Sequence, residues 1–150
     1  MTAPSDFALR YAWTEGSVPP PYHYRIEVVI EADGSGAIAM QPGYGSEDVP
    51  TWTVPLALSP AERDALFEAL HAAGLGDDWE VDRSGPPRIG GHHWRLTVTA
   101  SGGTVEVRSA ARNGDGDRPD ALREAVRAAV PDAVWSDLHA RRDAFVAARR

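Results

Sequence analysis

The chain has 150 residues, 43% of them hydrophobic and 25% charged, with five Trp and no Cys. That is enough apolar material for one buried core, and too little charge for a disordered chain. The absence of Cys excludes disulfides, thiolate nucleophiles, iron–sulfur clusters and Cys-ligated zinc. The net charge is −7, and all 15 basic residues are Arg. The Arg and Ala bias resembles the product of a GC-rich bacterial genome. Residues 1–110 hold 7 Arg against 15 acids, net −8, and residues 111–150 hold 8 Arg against 7 acids, net +1. An acidic body of this kind opposes binding to nucleic acid or anionic lipid, because phosphate neutralisation needs a basic surface. No apolar window reaches transmembrane length, and the first residues lack a basic stretch followed by an apolar run. A cytoplasmic chain with no membrane partner is the expectation.

Period-two alternation marks the first strand: Phe7, Leu9, Tyr11 and Trp13 point in, while Ala8, Arg10, Ala12 and Thr14 point out. Pro19-Pro20-Pro21 stiffens the loop that follows. In the next strand Tyr22, Tyr24, Ile26, Val28 and Ile30 face one way, and His23, Arg25, Glu27 and Glu31 the other. Asp33-Gly34-Ser35-Gly36 turns the chain into a short strand, Ala37 to Met40, which completes a hairpin. A fourth strand carries Trp52 and Val54 inward, and Pro55, lacking an N–H, places it at an edge. Ser59-Pro60-Ala61-Glu62 is a capping box with Pro at the first helical position; the helix it opens has the stripe Leu66, Phe67, Leu70 and stops at Gly74. After a polar loop, Trp94, Leu96, Val98 and Ala100 alternate with His93, Arg95, Thr97 and Thr99. Ser101-Gly102-Gly103 turns this strand into Val105 and Val107. Pro119 opens a helix striped by Leu122, Val126 and Val130, and Pro131 breaks it. A last helix from about Asp132 carries Val134, Leu138 and Phe145, with Trp135 and Val146 beside them.

This order predicts a single α+β domain spanning residues 1–150: an antiparallel sheet of about six strands built from hairpins, with about three helices mainly on one face. The expected core is Tyr24, Ile26, Val28, Ile30, Trp52, Leu66, Leu70, Leu96, Val98, Val107, Leu122, Val126 and Leu138.

No catalytic or cofactor signature stands out, and no cofactor or metal is expected. His92 and His93 are adjacent, so on a strand they point to opposite faces and cannot readily share one metal, and a third ligand would have to come from afar, such as His71, Asp77 or Asp78. Asn113, Asp115, Asp117 and Glu124 sit at positions 1, 3, 5 and 12 of a calcium loop. However, Arg118 occupies the position that needs Gly, and a helix start capped by Asp117 explains the residues more simply. Pro19-Pro20-Pro21-Tyr22 matches a P-P-x-Y ligand, yet Tyr22 also fits a strand. No G-x-S-x-G elbow, P-loop or dinucleotide fingerprint is present. Paired carboxylates such as Glu47-Asp48 read as solvated loop residues.

The more informative set lies on the outward sheet face: Arg10, His23, Arg25, His93, Arg95 and Arg108, balanced by Glu27, Glu31 and Glu106. Cross-strand ion pairing on a wet face explains it at small energetic gain. The sharper reading makes His23, Arg25, His93, Arg95 and Arg108 a ligand-binding surface, because guanidinium binds carboxylate and phosphate in a planar, bidentate way. The function expected from the sequence is therefore a non-enzymatic bacterial domain that binds a protein partner or a small ligand, anionic on the sharper reading. The alternative is a hydrolase or metal-dependent enzyme using His92 or His93 with loop carboxylates. Trp135 lies off the main stripe of the last helix, which predicts a homodimer contact there unless it packs on the preceding helix.

Overall fold

The computed structural model describes residues 1–15, 23–43, 49–75, 93–108 and 118–149. The strands are β1 (Ala8–Thr14), β2 (Tyr24–Ile30), β3 (Ser35–Pro42), β4 (Trp52–Ala57), β5 (His93–Ala100) and β6 (Gly103–Arg108), and the helices are α1 (Pro60–Ala72), α2 (Arg118–Ala128) and α3 (Asp132–Ala148). The six strands form one antiparallel sheet in the order β4-β3-β2-β1-β5-β6. This is the α+β architecture that the order of elements predicts. No helix among the described residues is long and apolar enough to cross a membrane.

Strand phase follows the alternation. Leu9, Tyr11, Ile26, Val28, Ile30, Ile38, Met40, Leu96, Val98 and Val107 are buried on one face, with Leu66 and Leu70 of α1, Leu122 and Val126 of α2 and Leu138 of α3 in the same core. Two expected core residues, Tyr24 and Trp52, are only half-buried at its margin. Each meets α3 edge-on: Tyr24 against His139 at 6.3 Å between centroids, Trp52 against Phe145 at 6.4 Å. β3 runs further than Ala37–Met40, because its pairing continues to Pro42 opposite Tyr24 and back to Ser35 opposite Ala57. β4 lies at an edge, where Pro55 leaves no ladder bond unmade.

The capping box of α1 is formed on both sides: the Ser59 hydroxyl accepts from the Glu62 N–H at 3.1 Å, and the Glu62 carboxylate accepts from the Ser59 N–H at 3.1 Å. The same helix fastens the start of the chain. The Arg63 guanidinium donates to the carbonyls of Pro4 and Phe7, and Asp64 accepts from the Ala3 N–H at 2.9 Å. Phe7 is thereby fully buried, edge-on to Phe67 at 5.1 Å.

α3 turns Leu138 inward with Val134 packed on the core, as its sequence suggests, but Val146 is buried where Phe145 is expected. Val146 is buried with Leu138, and Trp135 is half-buried against its own chain, its indole N–H donating to the Arg127 carbonyl at 3.0 Å while the Arg127 guanidinium lies 5.1 Å above its ring. Trp135 thus meets the preceding helix α2, the alternative that the sequence offered to a homodimer contact.

The two ends of the sheet differ. At one end, strands meet in tight turns. Ser101 and Gly102 have φ of +52° and +78°, the left-handed pair of a type I′ hairpin. The Asp6 carboxylate holds that turn, accepting from the N–H groups of Ser101 at 2.7 Å and Gly102 at 2.8 Å. These bonds, Gly102 foremost, hold the Asp6 pKa below its ordinary value. A lowered folded-state pKa stabilises the fold above the unfolded pKa, and that stability is lost as pH falls through the folded value. Asp6→Asn is therefore expected to lower stability at neutral pH and to flatten its decline below about pH 4. Urea titrations at several pH values measure both effects. Identical pH profiles for the two proteins would contradict this role.

At the other end lie Thr14, Tyr24, Pro42, Trp52, His93 and Arg108, the strand termini from which the long connections 15–23, 43–51, 73–92 and 109–117 leave or return.

Candidate functional site

The helices leave one sheet face open, and cross-strand register arranges its side chains in rows. One row reads Gln41, Arg25, Thr14, His93; the next reads Thr53, Ala39, Glu27, Ala12, Arg95, Arg108; the third reads Pro55, Ala37, Val29, Arg10, Thr97, Glu106. The first two rows lie toward the end bearing the long connections.

Of the five residues expected to bind ligand, Arg25, Arg95 and Arg108 are exposed on this face and His93 is half-buried at its margin. His23 is a correction. Period two assigns it to the open face, yet it is only 8% exposed. It lies just before β2, where its carbonyl accepts the Gly43 N–H at 2.6 Å and ties it to the end of β3. Alternation predicts which way a side chain points, not what covers it at the end of a strand. His92, Asp77, Asp78, Tyr22 and residues 113–117 lie outside the described residues. Among those described, no three His, Asp or Glu side chains gather in a metal-binding group.

Most charges on the face are paired. Arg10 stands 3.6 Å from Glu27, and Arg95 stands 3.4 Å from Glu106, which also binds Arg108. The arginines are exposed and the two glutamates partly so, and each such surface pair adds at most about 1 kcal/mol. Arg25 differs: among the described residues no carboxylate pairs with it. It lines a shallow hollow of about 210 Å³ with Glu27, Ala39, Gln41 and Thr51. Ala39 leaves the floor of the hollow low, and the rim offers a guanidinium, a carboxylate, an amide and a hydroxyl. Such a set can hold a small oxyanion at Arg25 and hydrogen-bond its neighbouring groups through Gln41 and Thr51.

Beneath the same end, on the helix-covered face, a second group of rings and cations closes the core. The Arg142 guanidinium lies 4.0 Å above the Tyr24 ring, Tyr24 packs on Trp13 at 4.7 Å, and His139 stacks on Trp135 at 6.2 Å. Burial, followed by the charges of Arg142 and Arg127, holds the His139 imidazole below its ordinary pKa. Burial likewise raises the pKa of Tyr24 and, more strongly, of Tyr11. The sequence reading missed this group. The signal for it was the i, i+4, i+7 spacing of Trp135, His139 and Arg142, which puts all three on one side of α3. Its geometry is that of packing: the rings and guanidinium planes cover one another.

No protein-family model matches this chain, and no curated protein matches it either.

Proposed function

We propose that the chain is a binding module rather than an enzyme, and that its ligand presents a carboxylate or phosphate to Arg25 on the open sheet face. The observation that supports this reading is the exposed Arg25 guanidinium, without a carboxylate partner among the described residues, at the rim of a hollow with Glu27, Gln41 and Thr51. A planar guanidinium takes either oxyanion through two parallel hydrogen bonds. The acidic whole favours a small ligand, or a single acidic side chain of a protein partner, over a polyanion such as nucleic acid. Arg95 and Arg108, shared by one Glu106, leave a local excess of positive charge on the neighbouring strands and extend the surface toward β6.

Calorimetric titration with inorganic phosphate, citrate and N-acetyl-aspartate tests the reading. At least one of them is expected to bind saturably and more weakly as salt rises. Arg25→Gln is expected to weaken that binding at least tenfold. Arg141→Gln, which changes an exposed arginine of α3, is expected to leave it unaltered. Failure of all three anions to bind, or equal binding by Arg25→Gln, would overturn the proposal.

A further inference from the structure

The hollow beside Arg25 holds two opposite charges that do not meet. Arg25 and Glu27 stand two residues apart on the open face of β2, so their Cα atoms are about 7 Å from each other. Both side chains line the hollow, yet no ion pair joins them. Among the described residues Glu27 pairs instead with Arg10, whose Nη1 stands 3.6 Å from one carboxylate oxygen. That is longer than a hydrogen bond, so the Glu27 carboxylate keeps room to accept one. The facing wall carries no charge. Register sets Gln41 across from Arg25 and Ala39 across from Glu27. Met40 pairs with Trp52, and Thr51 therefore follows beside Gln41.

We infer that the hollow takes a free α-amino acid, its carboxylate on Arg25 and its ammonium on Glu27. The inference rests on the reading of Arg25 as an oxyanion site and narrows the ligand of that site. A plain carboxylate or phosphate on Arg25 would stand beside the Glu27 charge, in a chain whose net charge is already −7. An ammonium next to the carboxylate removes that conflict and gives Glu27 a partner. An α-amino acid carries both charges on one carbon, so a single small molecule reaches the guanidinium and the carboxylate together. The volume of about 210 Å³ lies below the roughly 300–1,000 Å³ of pockets that take drug-sized ligands, and suits a molecule of this size. Gln41 and Thr51 offer neutral donors and acceptors to its side chain. An acidic side chain within a protein partner supplies the carboxylate without the ammonium, and would leave the Glu27 charge uncompensated. Glu27 is thus the residue that selects among ligands, by opposing those that lack an ammonium.

Calorimetric titration of the full chain with L-aspartate, succinate and N-acetyl-L-aspartate tests the inference. Succinate is aspartate without its amine. N-acetyl-aspartate keeps the nitrogen but not its charge, and imitates an acidic residue inside a protein chain. Aspartate is expected to bind about tenfold more tightly than either, the effect of one added charge-assisted hydrogen bond. Glu27→Gln is expected to erase that preference, and Arg25→Gln to weaken all three ligands. Aspartate that binds no more tightly than the other two, or a preference that survives in Glu27→Gln, would overturn the inference. If succinate and N-acetyl-aspartate bind through Arg25 as tightly as aspartate does, the amino-acid assignment falls and the oxyanion reading stands. If none of the three binds, the assignment falls, and phosphate and citrate decide the wider reading. Should either variant fail to fold, the ranking of the three ligands on the unaltered chain still decides.

Discussion

Leu96→Ala is expected to lower the unfolding free energy by about 2–5 kcal/mol. Leu96 is fully buried in β5, with Tyr11 of β1 on one side in register and Val107 of β6 on the other. Truncation removes the transfer free energy of the lost carbons and leaves a cavity between strands whose own pairing restrains collapse. The drop in thermal midpoint should be about 5–15 °C for a chain of this size. Denaturant titration with fluorescence of the five Trp measures it. A loss under about 1 kcal/mol would mean that β5 is not central to the core.

Gly36→Ala is expected to cost about 3 kcal/mol, at the upper end for overpacking. Gly36 pairs with Ile30 where β2 and β3 leave their turn. A Cβ there would lie inside the van der Waals sphere of the Val29 carbonyl oxygen, with the Ile30 Cα also close. Both neighbours are backbone, so no rotamer change relieves the clash, and either strand must shift. Loss of this register would also release β4, which among the described residues pairs only with β3. Gly102→Ala provides a comparison: no atom stands near its missing Cβ, so only its positive φ opposes the change. Equal thermal midpoints for Gly36→Ala and the unaltered protein would contradict the close approach.

The strands were legible because each buries one face. Tyr11, Val28, Leu96 and their neighbours obey a period of two that no helix would preserve. The capping box of α1 was legible because two side chains satisfy two orphan N–H groups at fixed spacing. Pro55 placed β4 at an edge for an equally local reason. What failed depended on distant partners. Nothing near Phe7 or Ala3 announces that Arg63 and Asp64 of α1 hold them down. Trp135 was off the expected stripe of α3, and only the position of α2 shows where it packs. His23 points by parity to the open face yet is covered, because coverage at a strand end depends on tertiary neighbours. For the site, parity alone placed Arg25, Arg95 and Arg108 on one face. Which arginine has no carboxylate partner among the described residues depended on strand order, which a single sequence does not contain.

The central claim is that an oxyanion binds at Arg25 on the open face. An amide NMR titration of the labelled protein with the tightest-binding of the three anions tests it most directly. The account predicts saturable shifts centred on Arg25, Glu27, Ala39, Gln41 and Thr51, with the α1 and α3 amides unmoved, and their loss in Arg25→Gln. Shifts centred on the helix-covered side around Arg127, His139 and Arg142, or the same shifts in Arg25→Gln, would contradict it.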